Sequence, residues 1–386
     1  MPRVAGRLAA KPNRENAVLT KETLSPLGRP ERYWSRRVTP LSREVAAAYP
    51  SLSRLPLLTL YLTDRCNSRC VSCDYWRHGR NDMDLAAVTR LLPNLAALST
   101  RTVLLSGGEP LLNPEWAAIA QSLRQHGIKV WLLTSGLALA KHARRAAELF
   151  DAITVSLDGT DSQTYRAIRG LDAFDKVCEG IRAVAAHGTP ASIRVTVQRA
   201  NYGQLPVFVD LAKDLRVRQV SFLAVDVANP EAFGRTGEAI SDLALRAEDL
   251  RPFERIIDSM ERDHLEDFNS GFIAENPQKL RRILQYFAAV RGNGPYPAVR
   301  CNAPEFSAVI GATGQVQPCF FIPGPAEARI QRDAELADAL NLDRMSTLRH
   351  EIRQGQRTEC KTCVCSLWRD AQGAQPVRFA ATEATM

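Results

Sequence analysis

Three cysteines, Cys66, Cys70 and Cys73, lie within eight residues in the spacing C-x-x-x-C-x-x-C. Thiolates are soft ligands, which favour zinc or an iron–sulfur cluster. A structural zinc site takes four protein ligands, commonly in C-x-x-C pairs, and His78 is the only nearby residue that offers a fourth. Three thiolates on a four-iron cluster leave one iron open for another ligand, which is the arrangement that catalysis needs.

A second group of cysteines lies in the last quarter of the chain. Its members are Cys301, Cys319, Cys360, Cys363 and Cys365, separated by 17, 40, two and one residues. The C-x-x-C pair permits a zinc ribbon as well as a second iron–sulfur site. The ninth cysteine, Cys178, shares an apolar helical face with Val177 and Ile181, which predicts a buried packing residue.

Polar residues also follow several predicted strands. After the second strand come Gly107, Gly108 and Glu109; two glycines let the backbone approach a ligand closely, and the glutamate offers a carboxylate beside it. Further along, the polar candidates are Ser135, Ser156, Asp158 and Arg169. Each has an ordinary alternative, such as a tight turn, a satisfied backbone group or a surface charge.

The elements that position these residues alternate between strand and helix. We predict strands at 57–62, 102–105, 128–133, 152–157, 192–198 and 219–224, and helices at 85–98, 114–126, 137–149, 173–186 and 205–214. This alternation predicts a parallel α/β sheet, either open and doubly wound or a partial barrel. Both architectures bind ligands at the carboxyl ends of the strands. The cysteine loop and the Gly-Gly-Glu segment therefore share one face.

The chain changes character after the sixth predicted strand. A loop is expected over 225–243, followed by helices at 246–267 and 277–290 and a hairpin of 306–310 with 315–321 around the turn 311–314. We expect residues 1–50 to form a basic, mostly irregular N-terminal extension and residues 371–386 to form a flexible tail.

Composition excludes several classes of protein. The apolar fraction is 45% and the charged fraction 24%, as in ordinary globular chains, with no apolar run or signal-peptide pattern that predicts membrane insertion. Residues 1–44 carry +6 of the net charge of +8, which favours a solvated basic arm over a nucleic-acid partner. Clustered cysteines indicate metal ligation in a reducing compartment, so we expect the cytoplasm.

The cysteine loop and the Gly-Gly-Glu segment together resemble the radical S-adenosylmethionine (SAM) superfamily. The resemblance implies a partial (β/α)6 barrel, with Cys66, Cys70 and Cys73 ligating a [4Fe–4S] cluster. The open iron would bind the amino and carboxylate groups of SAM, and the backbone of 107–109 would help to hold the amino group. Reductive cleavage would give methionine and a 5′-deoxyadenosyl radical, which abstracts a hydrogen atom from substrate.

The resemblance also assigns supporting roles. Ser135 stands where members often carry a polar residue near the ribose, Ser156 and Asp158 match an S-x-D-G segment, and Arg169 is a candidate for the methionine carboxylate. One departure is Ser72, which replaces the usual aromatic residue before the third cysteine. No catalytic residue is assigned beyond the cluster ligands.

The second cysteine group resembles the twitch subdomain, the shortened SPASM module, which holds one auxiliary [4Fe–4S] cluster. By this resemblance Cys301, Cys319, Cys360 and Cys363 would be its ligands, with Cys365 as a possible substitute for Cys363. The implied organisation is a barrel core over 51–225, a loop and helical connection over 226–298 and a small α+β iron–sulfur subdomain over 299–370.

Three functional hypotheses follow. The first is a radical SAM enzyme, an oxidoreductase or a related radical catalyst, that acts on a small biosynthetic molecule with electrons from a flavodoxin or ferredoxin. The second is a maturase of a ribosomally made peptide, although residues 1–50 look too short and irregular for a peptide-recognition domain. The third is a noncatalytic electron-transfer or zinc-binding module.

Overall fold

The computed structural model describes residues 51–230, 232–235, 240–330 and 335–369, so the predictions for 1–50 and 371–386 lie outside the described residues. The strands are β1 (Leu57–Thr63), β2 (Thr102–Gly107), β3 (Lys129–Thr134), β4 (Ala152–Ser156), β5 (Ala191–Val197), β6 (Gln219–Ala224), β7 (Ser307–Ile310) and β8 (Val316–Gln317). The helices are α1 (Tyr75–His78), α2 (Leu85–Ala97), α3 (Trp116–Gln125), α4 (Leu139–Leu149), α5 (Ser162–Arg169), α6 (Phe174–Ala186), α7 (Leu205–Asp214), α8 (Ala247–Asp263), α9 (Leu265–Asn269), α10 (Pro277–Val290), α11 (Leu336–Asn341), α12 (Asp343–Arg353) and α13 (Thr358–Lys361).

The strands form one open sheet in the order β6-β5-β4-β3-β2-β1-β7-β8. The pairs from β6 through β1 to β7 are parallel, and β8 is antiparallel to β7. Each of the first six strands lies beside its neighbour in sequence because helical crossovers of one hand return the chain to the adjacent position. The predicted α/β partial barrel is therefore confirmed.

Strand β1 lies inside the sheet and is buried along its whole length. Leu58, Leu60 and Leu62 are inaccessible to solvent and pack in the main core with helix residues such as Val88. Thr59 alternates with them and lines a cavity on the inner face of the sheet. A parallel strand covered on both faces explains the nearly continuous apolar sequence from which this element was predicted.

The predicted hairpin is confirmed, but its first strand pairs in parallel with β1, with Leu57 opposite Ser307 and Leu60 opposite Ile310. The hairpin thus extends the barrel sheet and covers the edge that β1 would otherwise expose. The later helices α11 and α12 were not predicted. Their residues Leu336 and Met345 belong to the same core cluster as β1.

The helices near residue 165 and over 246–267 also differ from the predictions. Helix α5 was not predicted; Asp161 caps its start by accepting the Thr164 N–H at 2.7 Å, and Gly170 ends it with a left-handed φ of 71°. The single helix predicted over 246–267 is two helices, α8 and α9. Within the described residues, we find no helix whose length and apolar character would allow it to cross a bilayer.

The sheet core provides a test of the fold. We expect Leu60→Ala to lower the free energy of unfolding by about 2–5 kcal/mol, because it opens a cavity beneath a fully buried strand. Leu265→Ala is the matched control, since Leu265 is 57% exposed and its loss should change that free energy by about 0.5 kcal/mol or less. Urea unfolding of the full chain measures both; equal effects would contradict the described position of β1.

Candidate functional site

The first cysteine group lies on the loop that follows β1, at the carboxyl edge of the sheet. Cys66, Cys70 and Cys73 are all free and partly buried. The Ser68 N–H donates to Cys66 Sγ at 3.4 Å, and the Ser68 hydroxyl lies 3.2 Å from Cys70 Sγ. The Cys73 thiol donates to the Phe233 carbonyl at 3.3 Å. Ser68, buried between two of the cysteines, was not predicted as a site residue.

The glycines after β2 pack directly against this loop. The Gly108 N–H donates to the Thr63 carbonyl at 2.8 Å, and a Cβ on Gly108 would lie 2.0 Å from the Arg65 carbonyl oxygen. Gly107 has a φ of 127°, a region that side chains rarely allow. Both positions therefore require glycine, because only a residue without a side chain lets the β2 loop pack against the cysteine loop.

Glu109 is fully buried, and its carboxylate is turned into the protein. It accepts hydrogen bonds from the Ser135 N–H, the Ser135 hydroxyl and the Thr134 hydroxyl, each at 2.7 Å, and from the Leu111 N–H at 3.2 Å. Burial raises the pKa of Glu109, and these donors offset part of that rise. These bonds hold the carboxylate between the loops after β2 and β3, and its place beside a ligand stays a prediction.

Asp158 and Arg169 form a buried ion pair with an N···O distance of 2.7 Å. Asp158 also accepts the Thr196 N–H at 2.7 Å, and Arg169 Nη1 donates to Cys70 Sγ at 3.4 Å. Burial raises the pKa of Asp158, and the charge of Arg169 offsets part of the rise. The structure thus joins two residues eleven positions apart and places a guanidinium beside the thiols.

A segment from the predicted loop covers Cys73, which the sequence did not reveal. The Phe233 carbonyl accepts the Asp74 N–H at 3.0 Å in addition to the Cys73 thiol. Arg235 Nη1 donates to the Ser72 carbonyl at 3.2 Å and to the Asp226 carbonyl at 2.9 Å. The sequence of this segment has no helix or strand periodicity. The only signals that could have drawn attention to it are Gly234 and Arg235.

The donor set at this loop fits an iron–sulfur cluster. Burial, with the charge of Cys70 adding to it, raises the pKa of both Cys66 and Cys73 to about 12, whereas ligation by cationic iron would hold the thiols deprotonated. Arg169 and the Ser68 N–H supply positive charge and an N–H···S bond of the kind that stabilises such clusters. Among the described residues, no three metal-ligating side chains converge tightly enough for a single metal ion.

The second cysteine group surrounds one cavity of about 640 Å³. All five predicted residues, Cys301, Cys319, Cys360, Cys363 and Cys365, line it. Burial raises the pKa of Cys319 and of Cys360 to about 12. The cavity also reaches residues of β1, β5 and β6, so these cysteines face the inner side of the barrel sheet.

An aromatic pair lies beside the cysteine loop. Tyr61, on β1, makes an edge contact with Tyr75 at a ring-centroid distance of 6.0 Å. Burial raises the pKa of Tyr61, and the nearby charges of Cys73 and Cys319 add to the rise. The hydroxyl of Tyr61 is therefore within electrostatic range of a cysteine from each group.

Residues 60–212 match the family model of the Radical SAM superfamily. Residues 60–212 form a radical SAM domain. The matched segment contains the three clustered thiols, the Gly-Gly-Glu segment and the Asp158–Arg169 pair, and the second cysteine group lies outside it.

Two curated relatives match this chain, and one of them over more residues than the family model covers. The Fe-coproporphyrin III synthase of Methanosarcina barkeri is 21% identical over 274 residues, which cover 65% of this chain and 67% of the relative. A probable GTP 3′,8-cyclase of Methanopyrus kandleri is 35% identical over 159 residues, which cover 40% of this chain and 52% of the relative. The chain therefore spans about half to two thirds of the length of these relatives.

The fold of the chain is also similar to that of solved structures. Streptococcus suis SuiB bound to its precursor peptide SuiA superposes with a TM-score of 0.59 and 17% identity, covering 80% of this chain and 69% of SuiB. At this level of identity, the similarity concerns the fold.

The buried ion pair at the site gives a second prediction. We expect Asp158→Asn to lower the free energy of unfolding by about 3–5 kcal/mol, because it leaves the buried Arg169 charge uncompensated. Adding Arg169→Met should recover part of that loss. Glu261→Gln, which breaks a partly exposed pair with Arg281, should cost less than about 1 kcal/mol. Urea unfolding compares the variants, and additive effects of the two buried substitutions would contradict the pairing.

Proposed function

We propose that this chain is a radical SAM enzyme that binds a [4Fe–4S] cluster at Cys66, Cys70 and Cys73 and abstracts a hydrogen atom from a small-molecule biosynthetic substrate. The observation that carries the proposal is the loop of three partly buried thiols, with Arg169 against Cys70, inside the radical SAM domain. When bound, the cluster supplies the electron that cleaves SAM into methionine and a 5′-deoxyadenosyl radical.

The chain's own residues would bind and orient SAM. An ammonium group needs acceptors, and the N–H groups of Gly108 and Glu109 already donate to the β1 loop, so backbone carbonyls of 107–109 are the proposed partners of the amino group. Arg169 retains a buried Nε without a partner among the described residues, which supports its assignment to the methionine carboxylate. Asp158 would then act by holding the guanidinium in place.

We propose different roles for Ser135 and Ser156 in binding SAM. The Ser135 hydroxyl donates to Glu109, so its proposed contribution near the ribose is to fix the loop that passes there. Ser156 ends β4 with a partly exposed side chain and keeps its proposed role as a direct contact to SAM.

We further propose that the second cysteine group binds an auxiliary [4Fe–4S] cluster, in a twitch-like region over 299–370. The proposed ligands are Cys301, Cys319, Cys360 and Cys363; the shared cavity supports this set. The Cys365 N–H donates to Cys363 Sγ at 3.3 Å, which stabilises a thiolate at Cys363 and favours it over Cys365. Such a cluster would accept an electron from the substrate, which fits an oxidoreductase.

A small substrate is favoured over a peptide by the space available. The cavity of about 640 Å³ must hold the proposed auxiliary cluster as well as the substrate, and even its whole volume lies within the range typical of small-molecule sites. The names of the two curated relatives also refer to small molecules, a coproporphyrin and GTP. A peptide substrate is the second candidate, supported by the SuiA-bound structure of SuiB, whose fold is similar.

The reducing partner, the compartment and the domain organisation remain proposals that rest on the sequence. A reducing partner such as flavodoxin or ferredoxin follows from the proposed chemistry, and the clustered cysteines favour the cytoplasm. The barrel core over 51–225 and the connection over 226–298 remain the proposed organisation. A noncatalytic electron-transfer or zinc-binding module is the competing class, which iron and zinc analysis separates from an enzyme.

The first cysteine group can be tested by substitution. Anaerobically prepared wild-type protein should contain about eight irons and form 5′-deoxyadenosine from SAM and a reductant. Cys66→Ala should retain about four irons and lose that product, because the proposed SAM-binding cluster loses a ligand. Cys178→Ala, at a buried cysteine in α6, is the control and should behave as wild type. Zinc in place of iron in the wild-type protein would refute the proposal.

The second group has a separate test. Cys360→Ala should reduce iron from about eight to about four atoms per chain, whereas Cys365→Ala should leave about eight. Iron analysis and electron paramagnetic resonance of the reduced proteins measure the difference. Equal loss of iron in both variants would show that Cys365 is a ligand, and no loss in either would exclude the auxiliary cluster.

A further inference from the structure

A row of polar side chains crosses the sheet beside the cavity, and the proposed chemistry does not yet account for it. Ser156 on β4 pairs in register with Arg194 on β5, which pairs in register with Ser221 on β6. Neighbours in register on parallel strands present their side chains on the same face. Arg194 and Ser221 both line the cavity that contains the second cysteine group, so the row faces the inside of the barrel.

An added segment extends this row at the edge of β6. Ile273 forms a parallel bridge with Val220, and Glu275 accepts the Phe222 N–H at 2.7 Å, which places Glu275 next to Ser221. Burial raises the pKa of Glu275, and the charges of Lys279 and Arg194 offset part of the rise. Both Glu275 and Lys279 line the cavity.

Two atoms of the row have no protein partner. Arg194 Nε and Ser221 Oγ are buried and make no hydrogen bond with the described residues, and Ser221 is only 2% exposed. Buried polar groups are seldom left unsatisfied, because desolvation without a new bond is costly. These two donors therefore lack an acceptor, and the cavity is where one can bind.

We propose that Arg194 and Ser221 bind an oxyanion of the substrate, either a carboxylate or a phosphate. A guanidinium offers several N–H donors in a plane that matches such a group, and the serine hydroxyl adds one more. The charged side chains that line the cavity are Arg194, Lys279, Arg369, Glu275 and Glu359, so cations outnumber carboxylates. Glu275 already accepts a backbone N–H, and Glu359 is paired with Arg357. The inference rests on the proposed function, because it assigns the substrate to this cavity.

A structural ion pair between Arg194 and Glu275 is the main alternative. The ion pairs of the described residues, taken within 4 Å, do not include Arg194, and its Nε points to no acceptor. Ser156, at the other end of the row, lies at the carboxyl end of β4, where SAM is proposed to bind. An oxyanion at Arg194 would therefore fix a substrate between that end and the second cysteine group.

Equilibrium binding of simple probes tests this inference. Isothermal titration of the anaerobic full chain would compare succinate and inorganic phosphate with neutral succinamide, over concentrations that extend to the millimolar range. We expect at least one anion to bind, and succinamide to bind at least about tenfold more weakly than succinate if a carboxylate is preferred. Succinate alone would identify a carboxylate site and phosphate alone a phosphoryl site, and binding of both would indicate an oxyanion site without preference.

Variants locate the binding site. Arg194→Gln should weaken binding of the preferred anion by about tenfold or more, and Ser221→Ala by a smaller factor, because the guanidinium bonds carry charge. Arg182→Gln, at an exposed arginine on α6, is the control and should bind as wild type. Thermal melting checks that each variant is folded, and Ser221→Ala keeps the test valid if Arg194→Gln is not.

Two outcomes overturn the inference: neither anion binds the wild-type chain, or folded Arg194→Gln and Ser221→Ala both bind as wild type does. These outcomes are distinct from failure of the proposed function. That function is measured by 5′-deoxyadenosine formation in the wild-type protein, which requires no anion, while titration requires no turnover.

Discussion

A loop without regular secondary structure cannot position three thiols by itself, and here the neighbouring loops fix it. Gly108 brings the β2 loop within hydrogen-bond distance of Thr63, and the carbonyl of Arg169 accepts the Arg69 N–H at 3.0 Å. From the opposite side, the Phe233 carbonyl accepts from Cys73 and Asp74. The geometry of the site thus depends on contacts from the ends of several strands, which the parallel sheet brings to one edge.

Two buried carboxylates at this edge are each paired with a buried arginine. Asp158 with Arg169 and Asp226 with Arg235 are both buried ion pairs, and each arginine also contacts the cysteine loop. Such pairs give little net stability, because desolvation offsets most of their attraction. Their consequence is geometric, since each guanidinium is held where it can donate to a sulfur or a carbonyl of the loop.

The pairing of β7 with β1 joins the second cysteine group to the barrel. Because Ser307 lies opposite Leu57 in one sheet, the cysteines that flank the hairpin open onto the inner face of β1, β5 and β6. The 640 Å³ cavity therefore adjoins both the second cysteine group and the polar row through Arg194. This arrangement gives the proposed substrate a defined position, with its charged end on β5 and β6.

The sequence alone determined the repeating strands and helices and the loop of Cys66, because periodicity and short spacings are local properties that tertiary packing only confirmed. It also showed that the Gly-Gly-Glu segment shares that edge. Only the tertiary structure decided that the Glu109 carboxylate turns inward, that Asp158 pairs with Arg169, and that Arg194 lies beside Ser221. These outcomes depend on burial and on contacts between residues distant in sequence, which no local pattern encodes.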